Sequence, residues 1–345
     1  MNIKAYKSIV IFGGSGFIGL HLIKHFVHKN PSIKIYIADI RPPLYIPDNL
    51  SRNIQYIYCD VRKKIRATVL IKIVNIDLII NLAAVHREPG HKPFEYFETN
   101  INGAENISFY ANLVKCKKII FTSSIAPYGI SDESKDEDTL PIPYSPYGSS
   151  KLVAEKIHIA WYCSDLKNKT LIIVRPGVVF GSREGGNVTR LIKSIINKSF
   201  FYIGNKETKK AGVYVKELVN SIEWAIQSQE KNKLPSFVLF NMTMHPAPSL
   251  ENYVNEILSN LNIKRRIYSM PFSLILTVAK FIQFFTNIFN IPNEFNPVRV
   301  RKLLIDNNIH PKFLLKNKYQ FKYNLKSAFK DWKSENKIEW GHDIE

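Results

Sequence analysis

Along the first 180 residues, short apolar runs alternate with stretches whose apolar positions recur every three or four residues. The runs are read as strands at Ser8–Phe12, Ile33–Ala38, Gln55–Cys59, Asp77–Leu82, Lys118–Ser123 and Thr170–Arg175. The helical repeat predicts helices between them at Phe17–His28, Lys63–Val74, Phe94–Leu113 and Pro146–Tyr162. The last has Ser145 placed as its N-cap and Pro146 at its first position. Strands and helices in strict alternation predict the α/β class, a doubly wound parallel sheet covered on both faces.

Beyond about residue 180 the regularity weakens, with helical patterns at Val188–Asn197, Lys216–Gln227 and Leu250–Leu261. The expected division is therefore a nucleotide-binding unit over 1–180 with a later return segment near 205–241. A smaller, discontinuous substrate-binding region would be built from 181–204 and 242–345. One stretch stands apart. Pro271–Ile291 is apolar but interrupted by Lys280, Gln283, Asn287 and Asn290, which makes it a poor membrane span. Lys264, Arg265 and Arg266 flank it on one side and Arg299, Arg301 and Lys302 on the other. Such a helix either lies in a membrane interface or packs against the substrate region or a partner subunit.

Composition changes this picture little, except in charge. Apolar content of 45% and charged content of 22% over 345 residues are ordinary for a globular protein, and the chain is long enough for a large core. The net charge of +19 is not ordinary. It reflects either a general bias toward Ile, Asn and Lys or a surface for an anionic partner such as a sugar diphosphate or acidic lipid. The basic residues are dispersed and no common nucleic-acid-binding module is present, so nucleic acid is not an expected partner. Cys59, Cys116 and Cys163 are isolated thiols without metal-ligand spacing, so no metal is expected. Their odd number, and a first strand that begins at Ser8, predict a cytoplasmic protein or one peripheral on the cytoplasmic face of a membrane.

Two motifs carry the chemistry. Gly13-Gly14-Ser15-Gly16-Phe17-Ile18-Gly19 follows a strand and opens a helix. Glycines at Gly13, Gly16 and Gly19 permit a tight turn and close approach of a pyrophosphate, which the helix N-terminus attracts. Asp39 ends the second strand 20 residues after Gly19, where a carboxylate accepts hydrogen bonds from an adenosine ribose. Its charge disfavours a 2′-phosphate and points to NAD rather than NADP, although Arg41 works against that preference. Asp60 and Val61, after the third strand, either meet the adenine or form an ordinary turn. The second motif is Tyr147-Gly148-Ser149-Ser150-Lys151. Tyr147 and Lys151 are four apart and share a helix face, where an ammonium favours the phenolate and makes Tyr147 a base. Lys151 can also hold ribose hydroxyls. Ser124, at the end of the fifth strand, faces the cofactor crevice and can bond the reacting oxygen.

With Asp60-Val61-Arg62, Asn81-Leu82-Ala83-Ala84, Thr99-Asn100, Gly103, Thr122-Ser123-Ser124, Tyr128-Gly129 and Arg175-Pro176-Gly177, these motifs resemble the extended short-chain dehydrogenase/reductases of the NAD-dependent sugar epimerase/dehydratase group. The resemblance implies a Rossmann-type fold and the catalytic set Ser124, Tyr147 and Lys151. It implies a nicotinamide pocket lined by Ala83 and Pro176, cofactor positions at Ala84 and Asn100, and a homodimer formed through Phe94–Leu113 and Pro146–Tyr162. Sugar 4,6-dehydratases of the group carry Asp-Glu after the catalytic hydroxyl residue. Ile125 and Ala126 stand there and cannot move protons, which leaves a 4-epimerase or a ketoreductase. Ala83–Glu88, Phe180–Arg183, Gly186-Asn187-Val188 and Pro297–Lys302 are similar to membrane-associated 4-epimerases of undecaprenyl-diphosphate-linked N-acetylglucosamine. On that likeness the substrate is an activated, diphosphate-linked sugar. Soluble UDP-hexose epimerases fit less well at Pro176, Lys209-Lys210 and Lys216. His86 and Arg87 follow the fourth strand and face either substrate or solvent. Arg183, Asn187, Lys209 and Lys210 complete the candidate substrate contacts.

Overall fold

A computed structural model describes residues 6–44, 52–65, 70, 75–88, 90–130, 133–288 and 306–341. Its framework is a seven-stranded, wholly parallel sheet in the order β10-β6-β5-β4-β1-β2-β3. The strands are β1 (Ser8–Phe12), β2 (Lys34–Asp39), β3 (Ile54–Tyr58), β4 (Leu78–Asn81), β5 (Lys118–Thr122), β6 (Thr170–Pro176) and β10 (Phe237–Met242). Every residue of β1 and β4 is buried, as a central strand with helices on both faces requires.

Helices α1 (Phe17–Lys29) and α5 (Val215–Glu230) cover one face, and α2 (Pro93–Leu113) and α3 (Pro146–Cys163) the other. Phe313, Leu314, Tyr319 and Phe321, far along the chain, also pack onto the first face. Two small parallel pairs lie outside the sheet, β7 (Val178–Phe180) with β9 (Gly212–Tyr214) and β8 (Tyr202–Ile203) with β11 (Ser269–Met270). A separate aromatic core joins Phe180, Tyr214, Tyr253, Phe329, Trp332 and Trp340. It draws together α4 (Asn187–Ile196), α6 (Leu250–Leu261) and, after α7 (Phe272–Ile288) and α8 (Lys312–Lys316), α9 (Leu325–Glu335).

Six strands and six helices fall within a residue or two of expectation, apart from α5, which runs three residues further at its end. The helix expected over Lys63–Val74 lies mostly outside the described residues, and residues 63–65 are not helical. Residues 289–291, Arg299, Arg301 and Lys302 also lie outside them. Strands β7 to β9 and β11 have no signal of their own, being two or three residues long and dependent on their partners.

Candidate active site

The strand order reverses between β1 and β4, and there the turn after β1 meets the segment after β4. Leu82 N donates to Phe12 O at 2.8 Å. Gly13 has φ +72°, and a Cβ on it would lie 2.6 Å from Ala83 N, so only glycine fits this approach. At Gly19 a Cβ would lie 2.3 Å from Gly14 O. Gly16 is the N-cap of α1 and has no side chain to cap it, so Phe17 and Ile18 open the helix without a side-chain acceptor. This is a cradle for a pyrophosphate, and NAD fits it.

Asp39 closes the turn. Its Oδ2 accepts from Ser15 N at 3.0 Å and its Oδ1 from Arg41 N at 3.3 Å. Asp60 is gripped by the Arg62 guanidinium at 2.8–3.2 Å, which holds its carboxyl below the usual range, and Val61 is buried against Gly103. Asn100 spends its amide within the protein: Nδ2 donates to Val85 O and Ser150 Oγ, and Oδ1 accepts from Val85 N. It therefore ties α2, the segment after β4 and α3 together. Ala83 N donates to Asn81 Oδ1 at 3.1 Å beside Ala84.

Helix α3 begins as expected, with Ser145 Oγ accepting from Gly148 N at 3.2 Å. A Cβ on Gly148 would lie 2.7 Å from Ala126 O, so glycine lets the helix close on the segment after Ser124. Burial pushes the Tyr147 phenol up to about 12, with the neighbouring Ser124 hydroxyl acting in the opposite direction. Tyr96 stands 6.2 Å from it, centroid to centroid. Lys151 is fully buried. Its Nζ donates to Thr122 O at 2.7 Å and lies 4.2 Å from the centre of the Phe121 ring. Burial pushes this ammonium down to about 7, and Glu155 pulls it back up. Lys151 is thus anchored to the end of β5 on the same helix face as Tyr147. Pro176 O accepts from Ile125 N at 3.1 Å, which sets the β6 end against the Ser124 segment.

The candidate substrate contacts are more scattered. His86 and Arg87 reach solvent after β4. Partial burial, then the charges of Arg87 and Lys151, lower the His86 pKa. Arg183 N is held by Glu339 at 3.1 Å, and Asn187 opens α4 with Oδ1 accepting from Arg190 at 2.6 Å. Lys209 N donates to Asp306 at 2.6 Å, while burial lowers Lys210 to about 8. Lys216, placed where an acid is usual, pairs with Asp331 at 2.6 Å and Glu335 at 2.9 Å on α9.

Three residues of the site's frame carry no motif signal in the sequence. Glu155, His158 and Tyr96 are all buried. His158 bonds Asn81 and Ser108 at 3.0 Å each, and burial pushes it down to about 3. The available signal for Glu155 was its spacing, four residues after Lys151 and eight after Tyr147.

The profile described as the NAD dependent epimerase/dehydratase family matches residues 9–239. The N-acetyl-alpha-D-glucosaminyl-diphospho-ditrans,octacis-undecaprenol 4-epimerase of Escherichia coli O157:H7 is 27% identical over 299 residues, 86% of this chain and 85% of that protein. A UDP-glucose 4-epimerase 2 of Oryza sativa subsp. japonica is 28% identical over 178 residues, 48% of this chain and 43% of that one. Among solved structures, the Helicobacter pylori ADP-L-glycero-D-manno-heptose-6-epimerase superposes with a TM-score of 0.72 at 19% identity, covering 97% of both chains. The UDP-N-acetylglucosamine 4-epimerase of Methanobrevibacter ruminantium M1, in complex with UDP-N-acetylmuramic acid, gives 0.71 at 20%, covering 99% of both. At those identities the superpositions speak to the fold. Since the family profile spans well over half of the chain and takes in both the glycine turn and the Ser124–Tyr147 pair, the chain belongs to the NAD-dependent epimerase/dehydratase family and is an NAD-dependent sugar epimerase.

Proposed function

We propose that this enzyme inverts C4 of a hexose, N-acetylglucosamine or N-acetylgalactosamine, carried on a polyprenyl diphosphate for surface-polysaccharide synthesis. The observation that carries the 4-epimerase reading is the pairing of Ser124 with Tyr147 beside Ile125 and Ala126, which offer no further proton-transfer group. The lipid-linked substrate is supported by the relative that matches 86% of the chain.

The turn Gly13–Gly19 would hold the NAD pyrophosphate, Asp39 the adenosine ribose, Lys151 the nicotinamide ribose, and Ala83 and Pro176 the walls of the nicotinamide pocket. Bound NAD supplies hydride acceptance and return at C4. Tyr147 Oη takes the C4 hydroxyl proton and later gives it back, while Ser124 Oγ holds the C4 oxygen. Lys151 adds positive charge beneath the phenolate. The 4-keto sugar turns over in the pocket and is reprotonated on oxygen by the same Tyr147, so no net redox change results.

Helix α7 fits a place at the bilayer surface. Its buried anchor is Ile275, packed with Phe201, Ile203, Met270 and Phe272. Thr277 and Thr286 return their hydroxyls to carbonyls of the helix itself, as an apolar medium favours. Among the described residues no helix is long and apolar enough to cross a membrane. Exposed Phe94, Phe97, Phe109 and Leu113 on α2 and Val153 on α3 offer an apolar face to a second copy.

The test is a product assay without added reductant, offering undecaprenyl-diphospho-N-acetylglucosamine and UDP-N-acetylglucosamine separately. Conversion of the lipid-linked sugar to its galacto epimer is expected. Conversion of UDP-N-acetylglucosamine alone would overturn the lipid-linked reading, and NADPH oxidation by a keto sugar without isomerisation would overturn the epimerase.

A further inference from the structure

Below the site, one carboxylate joins three elements. Glu155 is buried on α3, one turn beyond Lys151. Its Oε1 accepts from Ser123 Oγ at 2.5 Å and from Arg175 Nε at 2.8 Å, and its Oε2 from the Arg175 terminal nitrogen at 2.6 Å. Ser123 immediately precedes Ser124 at the end of β5, and Arg175 immediately precedes Pro176 at the end of β6. The Arg175 guanidinium lies 4.7 Å from the centre of the Tyr128 ring, and Tyr128 donates to Asn241 Oδ1 at 2.8 Å on β10. A forked pair of this kind fixes two planes at once, which a single hydrogen bond cannot do.

We propose that Glu155 is a positioning residue for the epimerase reaction, registering Tyr147 and Lys151 on α3 against the strand ends that carry Ser124 and Pro176 and setting an anion one turn from the Lys151 ammonium. This rests on the roles given above to Ser124, Tyr147 and Lys151. Among the described residues, the other groups placed around Lys151 supply no negative charge. They are the Thr122 carbonyl and Phe121 ring of β5, Tyr147 and His158 on α3, and His86 after β4, while Arg175 on β6 is held by Glu155 itself. Replacing the carboxylate by an amide leaves Arg175 and Lys151 as two buried cations without a counter-charge, and the lysine is the one that can shed a proton.

The test is the titration of Lys151 in full-length protein carrying [ε-13C]lysine, its resonance assigned with Lys151→Met, beside the pH profile of kcat. In Glu155→Gln the Lys151 midpoint should fall by about one pH unit or more, and the alkaline limb of kcat should move down with it. Glu155→Asp, which keeps the charge but shortens the reach, should hold the midpoint and lose about tenfold in kcat. An unmoved midpoint and limb in a folded Glu155→Gln would overturn the proposal. Should that variant not fold, Arg175→Lys keeps the cation without the fork. About a tenfold loss of kcat at an unchanged Lys151 midpoint is then expected, and wild-type kcat overturns the proposal. Absence of isomerisation in the wild type would overturn the epimerase reading instead, while the NMR midpoint would still decide the role of Glu155.

Discussion

Helices α3 and α7 differ in the kind of contact that holds them. Helix α3, Pro146–Cys163, is peppered with polar groups, yet it buries Ser150, Lys151, Glu155 and His158. Helix α7, Phe272–Ile288, is far more apolar, yet Ile275, near its start, is the residue at the heart of its buried cluster. The difference lies in partners. These four meet specific atoms on other elements: Asn100 for Ser150, Thr122 O for Lys151, Arg175 and Ser123 for Glu155, Asn81 and Ser108 for His158. A buried charge or imidazole costs several kcal/mol unless so matched, which makes α3 a rigid, over-determined element suited to hold a reacting pair. Helix α7 is held near its start by apolar packing alone, Ile275 against Phe201, Ile203, Met270 and Phe272.

The contrast can be broken from either side. The largest expected effect is on α3: Tyr147→Phe should lower kcat by about 10³-fold while NAD content after purification stays at the wild-type level. A near-normal rate would remove Tyr147 from the chemistry. In the crevice that α3 faces, Gly13→Ala forces a Cβ against Ala83 at positive φ, a strain of about 1–3 kcal/mol, and retained NAD should fall about tenfold or more. Mass spectrometry of the denatured protein reads that loss.

His158 makes the burial of α3 visible in pH. Between its ordinary value of 6.5 and its folded value of about 3, the unfolded chain binds a proton that the folded chain refuses. Stability due to this group is therefore lost as pH falls through 6.5, by up to about 1.4 kcal/mol per pH unit. Urea melts of wild type and His158→Asn at pH 7, 6 and 5 should show the variant's curve flatter by that amount. Parallel curves would mean that His158 is not the group responsible. A smaller change, Ser145→Ala, deletes the cap of α3 and should cost about 1 kcal/mol in the same melts. Smallest of all in stability is Lys264→Glu with Arg266→Glu ahead of α7, both exposed. These should alter the melt by less than about 0.5 kcal/mol. Flotation with anionic vesicles should nevertheless weaken by about 1 kcal/mol per residue. Unchanged flotation would return α7 to the role of a packing element.

The legibility of the site followed the range of the forces involved. The glycine turn, the Ser145 cap and the spacing of Tyr147 and Lys151 are local devices whose physics is complete within a few residues, and they stand where the sequence puts them. The same holds for the sheet strands, whose buried apolar runs announce themselves. Asp39 and Ser124 were placed by strand ends, which is one step less local. Asn100 is expected to contact the cofactor, and its amide also bonds Val85 and Ser150, a tie between elements that its sequence context does not announce. Lys151 pointed to Tyr147 by spacing, while the structure ties its ammonium to Thr122 O.

By itself, then, the amino-acid sequence determined the α/β alternation, the phosphate-cradling turn and the family, and it named the side chains proposed to react, since each depends on residue type and short spacing. Only the tertiary structure decided that Lys151 is desolvated, that Glu155 and Arg175 lock two strand ends to α3, that Phe313–Phe321 returns to cover the sheet, and that Ile275 of α7 packs against Phe201 and Ile203. Those outcomes depend on which atoms meet across 20 or more positions of chain, and the energy of a buried charge is set by what it meets.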